Sequence, residues 1–135
     1  MTKWFTKAAV AGVFVVSITA PMAMAPMAMA AEVDLQTKVA LQSTLDTYIE
    51  KSSVDGQLTL IDVNARSMTS VFMSNAHPMI VPMKGGKYFL CADGYDADGN
   101  EVKLDFLVIS ENNEYQIVDT ILNGREEIKT IMKAQ

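Results

Sequence analysis

Two β-rich apolar runs flank a short acidic turn in the segment KYFLCADGYDADGNEVKLDF, which begins at Lys87. Gly99 supplies the left-handed residue that a three-residue hairpin loop with a bulge requires, so Asp96 is predicted to face Asn100. Counting outward from that pair sets apolar residues against apolar residues and an acid against a lysine. On one face the predicted pairs are Tyr88 with Val108, Leu90 with Phe106 and Ala92 with Leu104; on the other they are Phe89 with Leu107, Cys91 with Asp105 and Asp93 with Lys103.

A second hairpin is predicted to follow the first. Asn112 and Asn113 both tolerate a positive φ and suit a two-residue turn. Regular pairing across that turn sets Phe106 opposite Asp119. The same register predicts a row of side chains across three strands, formed by Cys91, Asp105 and Thr120.

The acidic turn has one alternative interpretation, a calcium-binding loop. If Gly99 were the sharp-turn glycine of an EF-hand loop, Gly94 would stand at the first ligand position, which needs a carboxylate. The flanking segments are also strands rather than helices. The acids are therefore predicted mainly to build a turn.

One helix is predicted before these hairpins and another after them. From Asp34 to about Lys51 apolar residues recur at three- and four-residue steps, with Asp34 as the N-cap. Short β-rich runs follow, and Pro78 and Pro82 predict that the third of them is an edge strand or an irregular segment. The segment NGREEIKTIMK, capped by Asn123, predicts a short helix. The fold class is α+β: an N-terminal amphipathic helix packed on an antiparallel β-meander of four to six strands, with a short C-terminal helix.

Residues 1–30 have the pattern of a cleaved secretory signal peptide. Lys3 and Lys7 precede an apolar stretch and the small-residue segment APMAMAPMAMA, which favours cleavage after Ala30. Residues 31–135 then form a single small α+β domain that works in the periplasm or outside the cell.

The excess of acidic residues argues against nucleic acids and anionic membranes as partners. The chain has 16 acidic and 11 basic residues, and the signal peptide contains Lys3 and Lys7 but no acid. An acidic domain of this kind lacks the basic surface that nucleic acids and anionic membranes require. The remaining partners are an unknown protein or small ligand, or a second copy in a homodimer.

The two faces of the predicted sheet differ in character. One is almost entirely apolar, so the long helix is expected to pack there, and Asp119 is its one carboxylate. Burial there would favour the protonated form of Asp119, as in many general acids; the alternative is a merely structural Asp119 near the end of the sheet. The other face is half apolar and should be covered by the terminal helix or by a partner. Its candidate ligand or interaction residues are Phe89, Cys91, Asp105, Leu107 and Thr120.

Two further chemistries depend on the single cysteine and on the methionines. A nucleophilic Cys91 would need a base, and the one histidine, His77, is held extended before Pro78 with no spacing that ties it to Cys91. Cys91 is therefore expected to be a small buried hydrophobe. Soft copper ligands are also present around an H-x-M pair, although methionine is a common gap-filler in cores. The candidate copper ligands are His77, Met73, Met79 and Met83.

The long helix, the curved antiparallel meander and the segment HPMIVPMKGGKYFLCADGYDADGNEVKLDFLV together resemble the cystatin-like and NTF2-like architectures and small exported proteins with no assigned function. The resemblance covers most of residues 31–135 at the level of pattern. Enzymes of the NTF2-like class place a carboxylate, often with a histidine or tyrosine, in the cone between helix and sheet. The resemblance therefore implies Asp119 and Tyr48 as a candidate acid–base pair.

Three functions follow from these observations. The first is a non-catalytic exported binding or protein-interaction module that uses a sheet face or the helix–sheet cleft. The second is a small NTF2-like enzyme with Asp119 as general acid or base. The third is a periplasmic copper-binding protein built on the His77 and methionine cluster.

Overall fold

The computed structural model describes residues 32–74 and 78–135, and the predicted signal peptide lies outside them. The helices are α1 (Leu35–Ser52) and α2 (Arg125–Lys133), and the strands are β1 (Ser53–Val54), β2 (Gln57–Asp62), β3 (Ser67–Met73), β4 (Met79–Met83), β5 (Lys87–Asp96), β6 (Glu101–Glu111) and β7 (Glu114–Leu122). The predicted α+β class is confirmed: an N-terminal helix, an antiparallel sheet that curls, and a short C-terminal helix. The strand beyond the predicted six is the two-residue β1.

The strands form one antiparallel sheet in the order β1-β2-β3-β5-β6-β7, with β4 beside β5. Along one edge β5 pairs with β6. Along its other edge β5 pairs first with β4 and then, from Gly94 to Asp96, with β3. Within the described residues β4 pairs with β5 alone, so β4 is the edge strand that its two prolines predict.

Local hydrogen bonds explain where α1 begins and how the chain turns after it. The Asp34 carboxylate accepts hydrogen bonds from the Thr37 N–H at 3.0 Å and from the Thr37 hydroxyl at 2.6 Å, which caps the helix. Beyond the C-terminal end of α1, Asp55 and Gly56 both have positive φ and turn β1 into β2. The predicted bounds of the helix are confirmed within a residue at either end.

The main core lies between α1 and the face of the sheet that α1 covers, called the inner face; the opposite face is the outer face. Leu41 and Leu45 of α1 have no exposed surface. The Tyr48 ring packs edge-on against the Phe106 ring, with centroids 5.9 Å apart. The buried sheet residues of this core are Leu58, Val71, Leu90, Ala92, Val102, Leu104, Phe106 and Val108.

The β5–β6 hairpin has the predicted register throughout. Gly99 has φ +83°, and the Asp96 and Asn100 backbones are joined across the turn by a hydrogen bond of 2.9 Å. Every cross-strand pair predicted from the turn is present, including Cys91 with Asp105 and Asp93 with Lys103.

The β6–β7 hairpin departs from the predicted register at a bulge. Its turn at Asn112 and Asn113 is confirmed, since both have positive φ. Val108 pairs with Ile117 but Leu107 pairs with Asp119, so Val118 is an extra residue without a partner. The pairs predicted beyond that point are wrong by one residue, and every side chain from Asp119 onward points to the opposite face.

Four side chains of β7 therefore lie on the face of the sheet opposite to the predicted one. Thr120 and Leu122 lie on the inner face, opposite Phe106 and Leu104, whereas Asp119 and Ile121 lie on the outer face, opposite Leu107 and Asp105. The physical reason is the cost of burying a carboxylate in an apolar layer. The extra residue keeps Asp119 out of the main core and places Leu122 there instead.

The turn into α2 also differs from the prediction. The N-cap is Gly124, which makes no side-chain cap hydrogen bond. Asn123, predicted to be the cap, instead pairs with the Lys103 backbone: its N–H donates to the carbonyl at 2.8 Å and its side-chain oxygen accepts from the N–H at 2.9 Å. A side chain at position 124 would clash with Ile121, which explains the glycine.

Deleting Val118 should leave the fold intact, because regular pairing without it gives every other β7 residue its present partner. Deleting Thr120 should instead cost about 3 kcal/mol or more, because the bulge would be absorbed and Asp119 would face Phe106. Urea unfolding followed by circular dichroism measures both free energies. Equal losses in the two deletion variants would contradict the proposed role of the bulge.

Candidate functional site

The outer face, which carries most of the predicted ligand residues, is covered in part by α2. α2 packs Ile128 against Phe89 and Cys91 on the outer face, and all three are buried. Thr120, predicted to share this row, lies on the inner face because of the bulge. The partly buried residues around this second core are Val81, Met83, Leu107, Ile121 and Met132. The terminal helix, rather than a partner, therefore covers this part of the outer face.

An ion pair beneath α2 joins the helix to the sheet. The Asp105 side chain has no exposed surface, and its Oδ1 accepts from Arg125 Nη2 at 3.1 Å and from Nε at 3.2 Å. Arg125 Nη2 also donates to the Ala92 carbonyl at 3.1 Å. Asp105 Oδ2 has no hydrogen-bond partner in the described part of the chain. Asp105 is among the predicted interaction residues but Arg125 is not, because no local sequence pattern relates two residues that lie 20 positions apart.

The ion pair extends into a small charged group at one side of α2. Arg125 Nη1 lies 3.6 Å from Asp93 Oδ1, and Lys103 Nζ lies 3.0 Å from the same oxygen. Lys103 also contacts Glu101. These carboxylates raise the pKa of Lys103, mainly through its hydrogen bonds to Glu101 and Asp93. The arrangement holds α2 in place and leaves no open position for a substrate at Asp105.

Cys91 is buried beside this ion pair, as expected of a small hydrophobe. The pKa of its thiol is raised to about 12, mainly by burial. The adjacent Asp105 carboxylate also raises this pKa, and its effect is larger than the opposing effect of the Arg125 charge. A thiol of this kind stays protonated near neutral pH, so it lacks the thiolate that nucleophilic catalysis requires.

The predicted acid–base pair of Asp119 and Tyr48 is not assembled. Tyr48 and Thr120 share a hydrogen bond of 3.0 Å between their hydroxyl groups on the inner face. Asp119 is exposed on the other side of β7, where its Oδ1 accepts from the Thr120 N–H at 2.8 Å. The space between helix and sheet is filled by Leu41, Leu45 and the sheet core. The burial on which the proposed role of Asp119 depended is absent.

The predicted copper ligands are distributed over both faces of the sheet. His77 lies outside the described residues. Met73 packs against the main core on the inner face, whereas Met83 packs against the second core on the outer face. Met79 pairs with Cys91 on the outer side and is exposed. Met73 therefore cannot share one ligand set with Met79 and Met83 without rearrangement of the sheet.

The acidic turn uses its carboxylate for its own structure. Asp96 accepts hydrogen bonds from the backbone N–H groups of Asp98 and Asn100 at 3.0 and 2.8 Å, and from the Asn100 side chain at 3.1 Å. These bonds lower the pKa of Asp96, and the hydrogen bond from the Asn100 side chain has the largest effect. Asp96 therefore acts as a turn residue.

An open cleft of about 370 Å³ lies where the curl of the sheet brings the end of β2 close to β7. It is called the β2–β7 cleft. Ile61 and Val63 line one side of it and are 73% and 79% exposed. The full lining is Ile61 and Asp62 at the end of β2, Val63 and Asn64 in the β2–β3 turn, Asp119, Thr120, Ile121 and Leu122 in β7, and Gly124 and Glu127 at the start of α2.

Sequence reasoning missed this cleft because it is a product of tertiary structure. Its two sides are about 60 residues apart in the chain, and the curl that joins them has no local signal. One indication was available: the segment IDV places Ile61 and Val63 on either side of Asp62 at a turn, where large apolar residues are uncommon.

Comparisons with known proteins give no family for this chain. No protein-family model, curated protein or solved structure gives a significant match. Neither helix in the described ranges is both long and apolar enough to cross a bilayer.

Replacing Arg125 by Met should cost about 3 kcal/mol of unfolding free energy, because it leaves Asp105 charged, buried and unpaired. Replacing Asp105 by Leu in the same chain should recover most of that loss. Urea unfolding gives the three free energies. Lys129→Met is the matched control, since among the described residues Lys129 pairs only with the exposed Glu126, and its loss should change stability by less than about 0.5 kcal/mol. Additive losses in the double variant would contradict this account.

The raised pKa of Cys91 predicts a loss of stability at alkaline pH. The folded thiol titrates at about 12 rather than at its ordinary 9.0, so the stabilisation is complete below pH 9.0 and is lost as pH rises toward 12. Between about pH 8 and about pH 10.5 the stability advantage of the wild type over Cys91→Ala should shrink by about 2 kcal/mol. Unfolding curves of both proteins at the two pH values test this, and a constant difference would refute it.

Proposed function

We propose that this chain is an exported, non-catalytic binding module that holds its partner in the β2–β7 cleft. The observation that carries the proposal is the exposure of Ile61 and Val63 beside an open cleft of about 370 Å³. Adjacent exposed apolar side chains at a concave site are typical of surfaces that bind a partner.

The closed state of the other sites supports the choice of this cleft. The helix–sheet interior is filled by buried side chains, and Tyr48 and Thr120 satisfy each other there. The outer face around Cys91 is sealed by Ile128 of α2. A ligand at either place would have to displace packed residues, whereas the β2–β7 cleft is already open.

Exposed apolar side chains also lie on the surface next to the cleft. Ile61 is paired across β2 and β3 with Met68, which is also 73% exposed. Val118, the bulged residue of β7, is exposed beside Asp119. A partner seated in the cleft would therefore also cover apolar surface on both rims.

Site-specific photo-crosslinking in cells that export the protein tests the proposal. A benzoylphenylalanine residue in place of Val63 should yield a discrete adduct with the partner. Leu35 is the matched control, because it is 77% exposed on α1 but does not line the cleft, and a probe there should give no such adduct.

A second substitution separates binding from stability. Ile61→Ser in the chain carrying the probe removes apolar surface without adding charge. It should greatly reduce the adduct, yet change the unfolding free energy by no more than about 0.5 kcal/mol because Ile61 is exposed. An adduct that forms equally from positions 63 and 35, or is undiminished with Ile61→Ser, would refute the proposed site. An adduct of twice the subunit mass would identify the partner as a second copy.

A further inference from the structure

The β2–β7 cleft has a charge pattern of its own. Asp62, Asp119 and Glu127 line it, and neither lysine nor arginine does. In the described ranges none of the three carboxylates forms an ion pair. Arg66 lies in the turn between β2 and β3 but is not part of the lining. The negative charge of the cleft is therefore not compensated by the lining itself.

The carboxylates also retain hydrogen-bonding capacity. Asp62 Oδ1 accepts from the Ala65 N–H at 2.8 Å, and Asp119 Oδ1 accepts from the Thr120 N–H at 2.8 Å. The second oxygen of each has no partner in the part of the chain that the structure describes. Glu127 has no side-chain hydrogen bond there either. Each group can accept a bond from a cationic donor without breaking an existing one.

We infer that the β2–β7 cleft binds a basic peptide segment in which lysine or arginine residues are interspersed with apolar ones, an inference that rests on the proposed function. The cations complement Asp62, Asp119 and Glu127. The aliphatic stems of those cations and the intervening apolar residues cover Ile61, Val63 and Ile121. A small inorganic cation fits less well, since no three carboxylates in the described residues lie close enough to coordinate one metal ion.

The geometry also determines how the peptide lies. The β2 edge has no strand partner beyond Leu58 among the described residues, and β7 pairs only with β6. A strand inserted between β2 and β7 would need about 9.6 Å between them, two strand spacings. Cα atoms of the two strands approach within 8 Å, so a strand does not fit between them where they approach. The peptide therefore lies across the cleft and is recognised through its side chains.

Fluorescence anisotropy with three labelled nonapeptides tests the inference on the purified protein. KVSKLSKVS carries both features, EVSELSEVS reverses the charge, and KSSKSSKSS lacks the apolar residues. The first should bind, more weakly as salt increases, and the other two should bind at least about tenfold more weakly.

Two triple variants of equal net charge distinguish binding at the cleft from a general attraction of the peptide to the acidic surface. D62N/D119N/E127Q should weaken KVSKLSKVS binding at least about tenfold, as loss of three ion pairs allows. D98N/E111Q/E114Q, which removes three exposed carboxylates elsewhere, should weaken it less than about twofold. If the first variant does not fold, E127Q alone, on the exposed surface of α2, should still weaken binding measurably.

Equal weakening by the two triple variants would overturn the inference, since it would show attraction to the whole acidic surface. So would tighter binding of EVSELSEVS, or no binding of KVSKLSKVS. If the lysine peptide fails while the probe at position 63 still crosslinks a partner, the cleft is the binding site but its ligand is not basic. If both experiments fail, the proposed function fails with the inference.

Discussion

The cost of placing a carboxylate in an apolar layer determines how β7 is built. If β7 paired regularly along its whole length, the alternation of the strand would set Asp119 against Phe106 in the main core. The bulge at Val118 turns Asp119 to the outer surface and brings Thr120 and Leu122 inward. A bulge also bends and twists its strand, which favours the curl that brings β7 close to β2. The burial of Asp119 is thus avoided by a change that also helps to form the cleft.

Arg125 has the corresponding role on the outer face. A buried Asp105 is unfavourable by itself, and Arg125 compensates for it only when α2 is docked. Ion pairing therefore fixes the position of α2. This helix has nine residues, and Ile128 is the one among them that is buried. With α2 in that place, the cysteine and its neighbours are sealed, and Glu127 is held at the rim of the cleft. The same helix closes one candidate site and helps to build another.

The sequence predicted the parts of the fold that local rules determine. Asp34, Gly99 and the Asn112-Asn113 pair fixed the helix start and two turns, and cross-strand matching then gave the β5–β6 register residue by residue. It did not predict the bulge, although Asp119 on an apolar face was the indication that the register was wrong. The site was predicted less well, because Arg125, the filled helix–sheet interior and the β2–β7 cleft each depend on residues distant in the chain. Cys91 and Asp105 were found as neighbours, but their cover by α2 was only one of two options.

The hydrogen bond between Tyr48 and Thr120 links residues 72 positions apart, and this separation has a consequence for the order of folding. α1 is synthesised first, but the sheet residues that bury Leu41 and Leu45 extend to the end of β7. An isolated helix of this length is marginal in water, so α1 gains its stability only after most of the chain exists. The β5–β6 hairpin, by contrast, forms from neighbouring residues and needs little loop closure. Folding is therefore expected to begin in the middle of the chain and to recruit the first helix late.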